Sequence, residues 1–245
     1  MVAETIELPN IKKLFIPDPG HVIFDVDLDR ADLQVVVWEA SDEELKDMLR
    51  EGVDIHSENA RVIGFTRQRA KVFIHGTNYG GRAKTMARHC GITTHEADRA
   101  QRTWFQAHPG ILRWHNRVNS DISTRRAVTN SFGFTRQFFG RIEDSFTEAL
   151  AWIPQSTVSI VINKAILNVW NEMSNSVQLL LQVHDSFVAQ IPSDLFFCSL
   201  LELHHLTLIP VPYPDPLIIP TGIKASPSSW GDCHELLWEA KSWQD

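Results

Sequence analysis

Two short apolar runs, one near each end of this chain, both close on an aspartate. They constrain the fold more than any other feature. His21-Val-Ile-Phe-Asp-Val-Asp27 and Leu179-Leu-Leu-Gln-Val-His-Asp185 read as buried strands that deliver a carboxylate at their ends. The residues between them read mostly as helix. If the two strands share a sheet, that helical stretch is an insertion, and the chain is one α+β sheet domain interrupted by helices.

The pattern along the chain supports this. Residues 1–20 are polar and broken by Pro9, Pro17, Pro19 and Gly20. Ser41-Asp-Glu-Glu44 looks like an N-cap followed by acids, opening a helix over 42–51, and Asp54-Ile-His56 opens another. A long helix over 66–79 ends at Gly80-Gly81. Helices at 82–90, 94–106 (capped by Thr93 or Thr94) and 111–124 follow, then strand-turn-strand from Ala127 to Phe139. A helix from 145 runs through Pro154 to about Met173, and 178–191 is a hairpin turning at His184-Asp185-Ser186. A helix over 193–206 and a strand at 217–224 lead to a tail near Trp230.

Charge is unevenly spread. The net charge of −7 alone argues against a polyanion partner, yet residues 61–141 hold 15 Lys and Arg against 3 Asp and Glu. That segment carries +12 and the remainder −19, an asymmetry that points to nucleic acid at the basic part. The bland reading is a solvated, Arg-rich helical face. Cys90, Cys198 and Cys233 lack metal-ligand spacing and read as reduced thiols of a cytoplasmic protein. The N-terminus shows no signal peptide, and no apolar run approaches the ~18–20 residues of a membrane span, so no membrane is expected.

The chemistry-bearing residues form a set. A lone Asp after a strand is most often a turn residue or a cap, but Asp27 and Asp185 flank a helix whose Arg67, Lys71, His75 and Tyr79 recur every fourth position and share one face. Two carboxylates can hold a pair of Mg²⁺ ions, which take carboxylates plus substrate phosphates. Arg gives phosphate bidentate contacts and Lys a compact charge. An exposed helix face usually mixes charge signs, and this stripe carries no acid. His56 at a helix start, Gln182 and His184 beside Asp185, and Gln155 in the long helix are weaker candidates, each readable as an ordinary cap, turn or helix residue. Together the set suits nucleotidyl transfer.

At this point the chain resembles the polymerase domain of family A DNA polymerases, the DNA polymerase I type. Asp27-Leu-Asp-Arg-Ala-Asp-Leu33 through Ser41-Asp-Glu43 resembles the family's first catalytic motif. Arg67-Gln-Arg-Ala-Lys71 through Tyr79-Gly80 resembles its fingers helix, and Leu180-Leu-Gln-Val-His-Asp185 its second catalytic motif. Asp54-Ile-His56 and the Trp230 tail also fit, and the likeness covers about residues 8–232.

The resemblance implies an antiparallel-sheet palm with an inserted helical fingers subdomain: palm at 1–40 and 127–245, fingers at 41–126. It implies Asp27, Asp185 and the Leu28 carbonyl as ligands of two Mg²⁺ ions, with Lys71 also catalytic. His56, Arg67 and Lys71 would meet the triphosphate of a dNTP, Tyr79 the templating base, Gln155 and His184 the primer terminus, and Arg136 the duplex backbone of primer-template DNA. Asp32 stands where the family has a Glu that excludes ribose, His75 where it has Phe or Tyr, Ser186 where Glu follows the catalytic Asp, and Arg30 and Gln34 replace a Gln and an Arg. These departures fall on the sugar pocket more than on the catalytic carboxylates. Only 26 residues precede Asp27, so thumb and exonuclease are expected to be absent: the product is truncated or split, or a second chain supplies them. The cytoplasm of a bacterial or phage-infected cell is the expected location. The alternatives are a relative of the single-subunit, phage-type RNA polymerases, against which Asp32 argues, and a non-catalytic nucleic-acid-binding fragment.

Overall fold

The computed structural model describes residues 9–236. After a short 3₁₀ turn at Ile11–Leu14, strand β1 spans His21–Leu28. Seven helices follow: α1 (Ala31–Ala40), α2 (Glu43–Arg50), α3 (Ile55–Ile63), α4 (Arg67–Asn78), α5 (Ala83–Cys90), α6 (Thr94–Ala107) and α7 (Pro109–Thr124). Strands β2 (Ala127–Thr129) and β3 (Thr135–Gln137) precede the long helix α8 (Ile142–Met173). Then come β4 (Gln178–Val183), β5 (Ser186–Pro192), α9 (Phe196–Thr207), β6 (Pro210–Val211), β7 (Leu217–Ile218), β8 (Thr221–Ser226) and β9 (His234–Glu235).

The chain forms two compact units. The first contains residues 1–29, 161–210 and 218–245, and the second 30–160 and 211–217. In the first, the antiparallel sheet runs β4-β5-β1-β8-β9: β1 carries the first apolar run, and β5 stands between it and β4, which carries the second. β1 and β5 are buried on both faces: Ile23, Phe24, Val26, Phe187, Val188 and Ala189 are fully inaccessible. Phe24 packs on Phe196 of α9, ring centroids 6.1 Å apart. Gln190 pins the register, its amide donating to Asp18 Oδ2 and Gln178 Oε1, both at 2.7 Å. β4 is the outer strand, exposed along most of its length, with an irregular register between Leu179 and Leu181.

The second unit is mainly helical. Trp104, Trp114, Phe73, Ile74, Ile111 and Ile122 are fully buried. The Trp104 indole donates to Asn78 Oδ1 (2.9 Å), and His115 Nε2 meets the Asn78 carbonyl (2.8 Å). Gly110 lets α7 approach α1 closely, since a Cβ there would lie 2.5 Å from the Ala40 carbonyl oxygen. The proline-rich segment 211–217 is held by several bonds: Tyr213 donates to Glu39 Oε1 (2.9 Å), the Trp38 indole to the Asp215 carbonyl (2.8 Å), and Arg50 (2.7 Å) and Lys46 (3.1 Å) to the Asp215 carboxylate.

Several local expectations need adjustment. Ser41 is not an N-cap: it sits at φ 50°, closing α1, and Asp42 caps α2 by accepting from the Leu45 amide. Thr93 is the cap of α6, in a reciprocal capping box with Glu96. The strand expected at 217–224 is two, β7 and β8. The long apolar helix begins at Ile142, and by length and composition it could cross a membrane, although sequence inspection passed over it. Its stripe Ala149, Leu150, Ile153, Val158, Val161, Ile162, Ala165 and Val169 is buried in protein, as in a core helix.

Candidate active site

The first unit builds the carboxylate pair. Asp27 lies between Ser186 of β5 and Gly222 of β8, two small neighbours that leave its carboxylate room. Val183 pairs with Ser186, so His184 and Asp185 form a two-residue turn. His184 takes φ 55°, a region few side chains enter and histidine tolerates better than most. The Leu28 amide donates to the Asp185 carbonyl (3.1 Å), joining the end of β1 to that turn. The two aspartates are thereby coupled. The Asp27 carboxyl is pushed up, first by burial and then by the charge of Asp185, with Lys224 opposing and Asp25 adding a smaller push.

Sequence reading missed Lys224, whose Nζ is 3.7 Å from Asp27 Oδ2. Nothing in the spacing pointed to it, because the contact depends on β8 flanking β1. Among the described residues, no three His, Cys, Asp or Glu side chains converge as a metal cluster. Two carboxylates and a main-chain carbonyl still fit Mg²⁺, which usually takes one or two carboxylates and fills its remaining positions with water and substrate phosphate.

The second unit holds the phosphate and sugar candidates. Thr66 caps α4. Arg67 meets Asp54 in a fork, Nε–Oδ2 2.6 Å and Nη2–Oδ1 3.2 Å. The expected acid-free stripe is therefore corrected: its first cation is already paired. The Arg67 bonds hold the Asp54 carboxyl well below the usual carboxylate range. His56 is half-buried. Its pKa is lowered by burial and then by Lys71 and Arg67, and its Nδ1 has no protein partner. Lys71 is exposed, as suits a residue meeting a ligand.

At the other end of α4, Tyr79 closes the helix and Gly80 follows at φ 77°. The Tyr79 ring meets His75 edge-on, centroids 4.6 Å apart. Its hydroxyl is pushed far up by burial, then by the adjacent Asp32 carboxylate. Asp32 sits in the first turn of α1, where the helix dipole favours an acid. Asp32, His75 and Tyr79, all expected on the nucleotide, are thus neighbours. A cleft of about 430 Å³, unnoticed in the sequence, opens beside Gly80 and Gly81 and is lined by Gln101, Phe105, His115, Asn116 and Phe146.

The remaining candidates differ in availability. Gln155 and His184 are exposed. Arg136 is ion-paired with Glu148, and its guanidinium lies over the Phe138 ring at 5.2 Å. Gln182 is bonded to Asn163 (3.0 Å), and Arg117 to the carboxylate and carbonyl of Glu39.

Comparison with known proteins adds a family. The model for DNA polymerase family A matches residues 3–196. The DNA polymerase of Mycobacterium phage D29 is 26% identical over 233 residues, covering 91% of this chain and 37% of that protein. The thermostable DNA polymerase I of Thermus filiformis is 29% identical over 201 residues, covering 75% of this chain and 24% of that one. The chain thus spans about a quarter to two fifths of the length of these relatives. Among solved structures, the POL domain of Pol1 from M. smegmatis, in complex with DNA primer-template and dNTP, shares the fold. Its TM-score is 0.81 at 20% identity, covering 90% of this chain and 42% of that one.

Proposed function

Because the chain belongs to DNA polymerase family A, we propose that it is the palm and fingers core of a template-directed DNA polymerase, adding dNTPs to a primer 3′-hydroxyl. The proposed fingers, residues 41–126, fall wholly within the helical unit. The observation that carries the reading is the joining of Asp27 and Asp185 by the β1–β5 register and the Leu28–Asp185 hydrogen bond.

Asp27, Asp185 and the Leu28 carbonyl would hold two Mg²⁺ ions. Such ions, when bound, lower the pKa of an attacking hydroxyl and neutralise phosphate charge. The rest falls to the chain's own side chains. Lys71 and Arg67 offset charge developing on the triphosphate as pyrophosphate leaves. His56, kept neutral by burial and two cations, can donate one N–H to a phosphate oxygen without adding charge. Asp32, held beside Tyr79, crowds a 2′-hydroxyl. Gln155 and His184 are free to meet the primer terminus, while Arg136 reaches duplex backbone by exchanging Glu148 for phosphate. Primer-template DNA would be bound electrostatically, without sequence preference, in the cytoplasm of a bacterial or phage-infected cell.

The direct test is primer extension by this chain on a DNA template, with dNTPs and NTPs in separate reactions, alone and with the product of the adjacent reading frame. Extension with dNTPs supports the reading, whereas NTP-only extension favours an RNA polymerase. No extension under any condition, with duplex binding retained, favours a non-catalytic fragment.

A further inference from the structure

Lys224 has no part in the chemistry above, yet it stands at the carboxylates. It lies on β8, opposite Asp25 of β1 in register. Its ammonium reaches sideways to Asp27, 3.7 Å from Oδ2. Asp25 and Asp27 are two residues apart on one strand and share a face. One Asp25 oxygen accepts from the Trp230 indole (2.7 Å), while the other is buried without a partner. Asp185 adds a third carboxylate beside the pair. The charges of Asp185 and Asp25 both press on Asp27, and Lys224 is the cation drawn to it.

We propose that Lys224 is a built-in counter-cation that competes with divalent metal for Asp27. It neutralises the carboxylate in the metal-free protein and withdraws to solvent when an ion binds. Both side chains are about two fifths exposed, 40% for Lys224 and 42% for Asp27, so the ammonium can leave without stranding a buried charge. Lysine suits the task, being a compact charge on a flexible stem, with no planar fork to lock it in place. At 3.7 Å the contact is an ion pair rather than a short hydrogen bond, which eases its release. The consequence is a threshold: the metal-free fold tolerates its clustered acids, and metal binds more weakly than the same acids alone would allow. This inference rests on the reading of Asp27 and Asp185 as metal ligands.

The test is Mn²⁺ binding to the full 245-residue chain, without DNA or nucleotide, read from the free-ion electron paramagnetic resonance signal at low ionic strength. Lys224→Met should tighten Mn²⁺ binding on the order of tenfold, and Lys224→Arg, whose fork holds the carboxylate at least as firmly, should bind Mn²⁺ no tighter than wild type. The metal-free Lys224→Met protein should also unfold at lower urea than wild type, with saturating Mn²⁺ closing that gap. If Asp27→Asn and Asp185→Asn lose Mn²⁺ while Lys224→Met binds no tighter than wild type, the counter-cation role is overturned and the ligand reading survives. If neither Asn variant loses Mn²⁺, the ligand reading falls and takes this inference with it.

Discussion

The Leu28 amide donates to the Asp185 carbonyl across 3.1 Å, so the last rung of β1 is clamped to the turn that carries the second carboxylate. The clamp is made by main-chain atoms. Changing either aspartate side chain therefore leaves the geometry of the corner standing and removes only charge.

Asp27→Asn and Asp185→Asn should each abolish primer extension while the fold persists. Burial and Asp185 raise the Asp27 carboxyl, so folding disfavours its charged form. A raised carboxyl makes the fold lose stability as pH climbs from its ordinary value of 3.8 through the folded one. At neutral pH the Asn variants should hold or gain stability, by at most about 1 kcal/mol after screening at this part-exposed site. Urea unfolding at pH 7 checks this, and a marked loss of stability would contradict it.

Sugar choice should follow Asp32. One methylene shorter than Glu, it leaves ~1 Å more room, worth about 1–3 kcal/mol of discrimination. Wild type should prefer dNTPs with measurable NTP incorporation, Asp32→Ala should raise NTP use, and Asp32→Glu should lower it. Competitive incorporation on one template reads the ratio. An unchanged ratio across the three proteins would remove Asp32 as the gate.

Lys71 is exposed, so Lys71→Ala should shift stability by no more than about 0.5 kcal/mol. It should nonetheless weaken nucleotide use far more than DNA binding. Arg113→Ala, on the helix that also carries Arg117, should do the reverse, reducing the slope of log affinity against log salt by about 1 per lost phosphate contact. Equal effects of the two substitutions on both measurements would mean a generic basic surface.

His115 gives a pH signature for the helical unit. Burial lowers its pKa from 6.5, outweighing its bond to the Asn78 carbonyl. The fold therefore prefers neutral imidazole, while the unfolded chain takes up a proton below about pH 6.5. Stability should fall as pH drops from 7.5 to 5.5, and His115→Gln should flatten that part of the drop. Chemical denaturation at the two pH values measures it.

What the sequence disclosed was local. The apolar run ending at Asp27 announced a strand because burial on both faces demands unbroken hydrophobic residues, whereas the run before Asp185, expected to be a buried strand, forms β4, which lies largely exposed at an edge of the sheet. Thr93 and Thr94 announced a helix start because threonine hydroxyls cap helices, and the capping box with Glu96 singles out Thr93. What it concealed was set by tertiary neighbours. Asp54 finds Arg67 only because α3 and α4 fold back on each other, and Lys224 reaches Asp27 only because β8 returns to flank β1. Ser41 and Asp42 are both good caps by composition. The left-handed φ at Ser41 that decides between them comes from the tight α1–α2 junction.

Strand β4, at one edge of the sheet, carries a liability beside the turn that holds Asp185. β4 leaves main-chain donors and acceptors facing outward, with Leu180 and Leu181 exposed beside them, which is the template on which polypeptides recruit foreign strands. The irregular register between Leu179 and Leu181 breaks the flat ladder that such recruitment requires. Colloidal behaviour and catalytic geometry are thus coupled in one hairpin: a substitution that straightened β4 would favour fibrils and would also re-aim the turn holding Asp185.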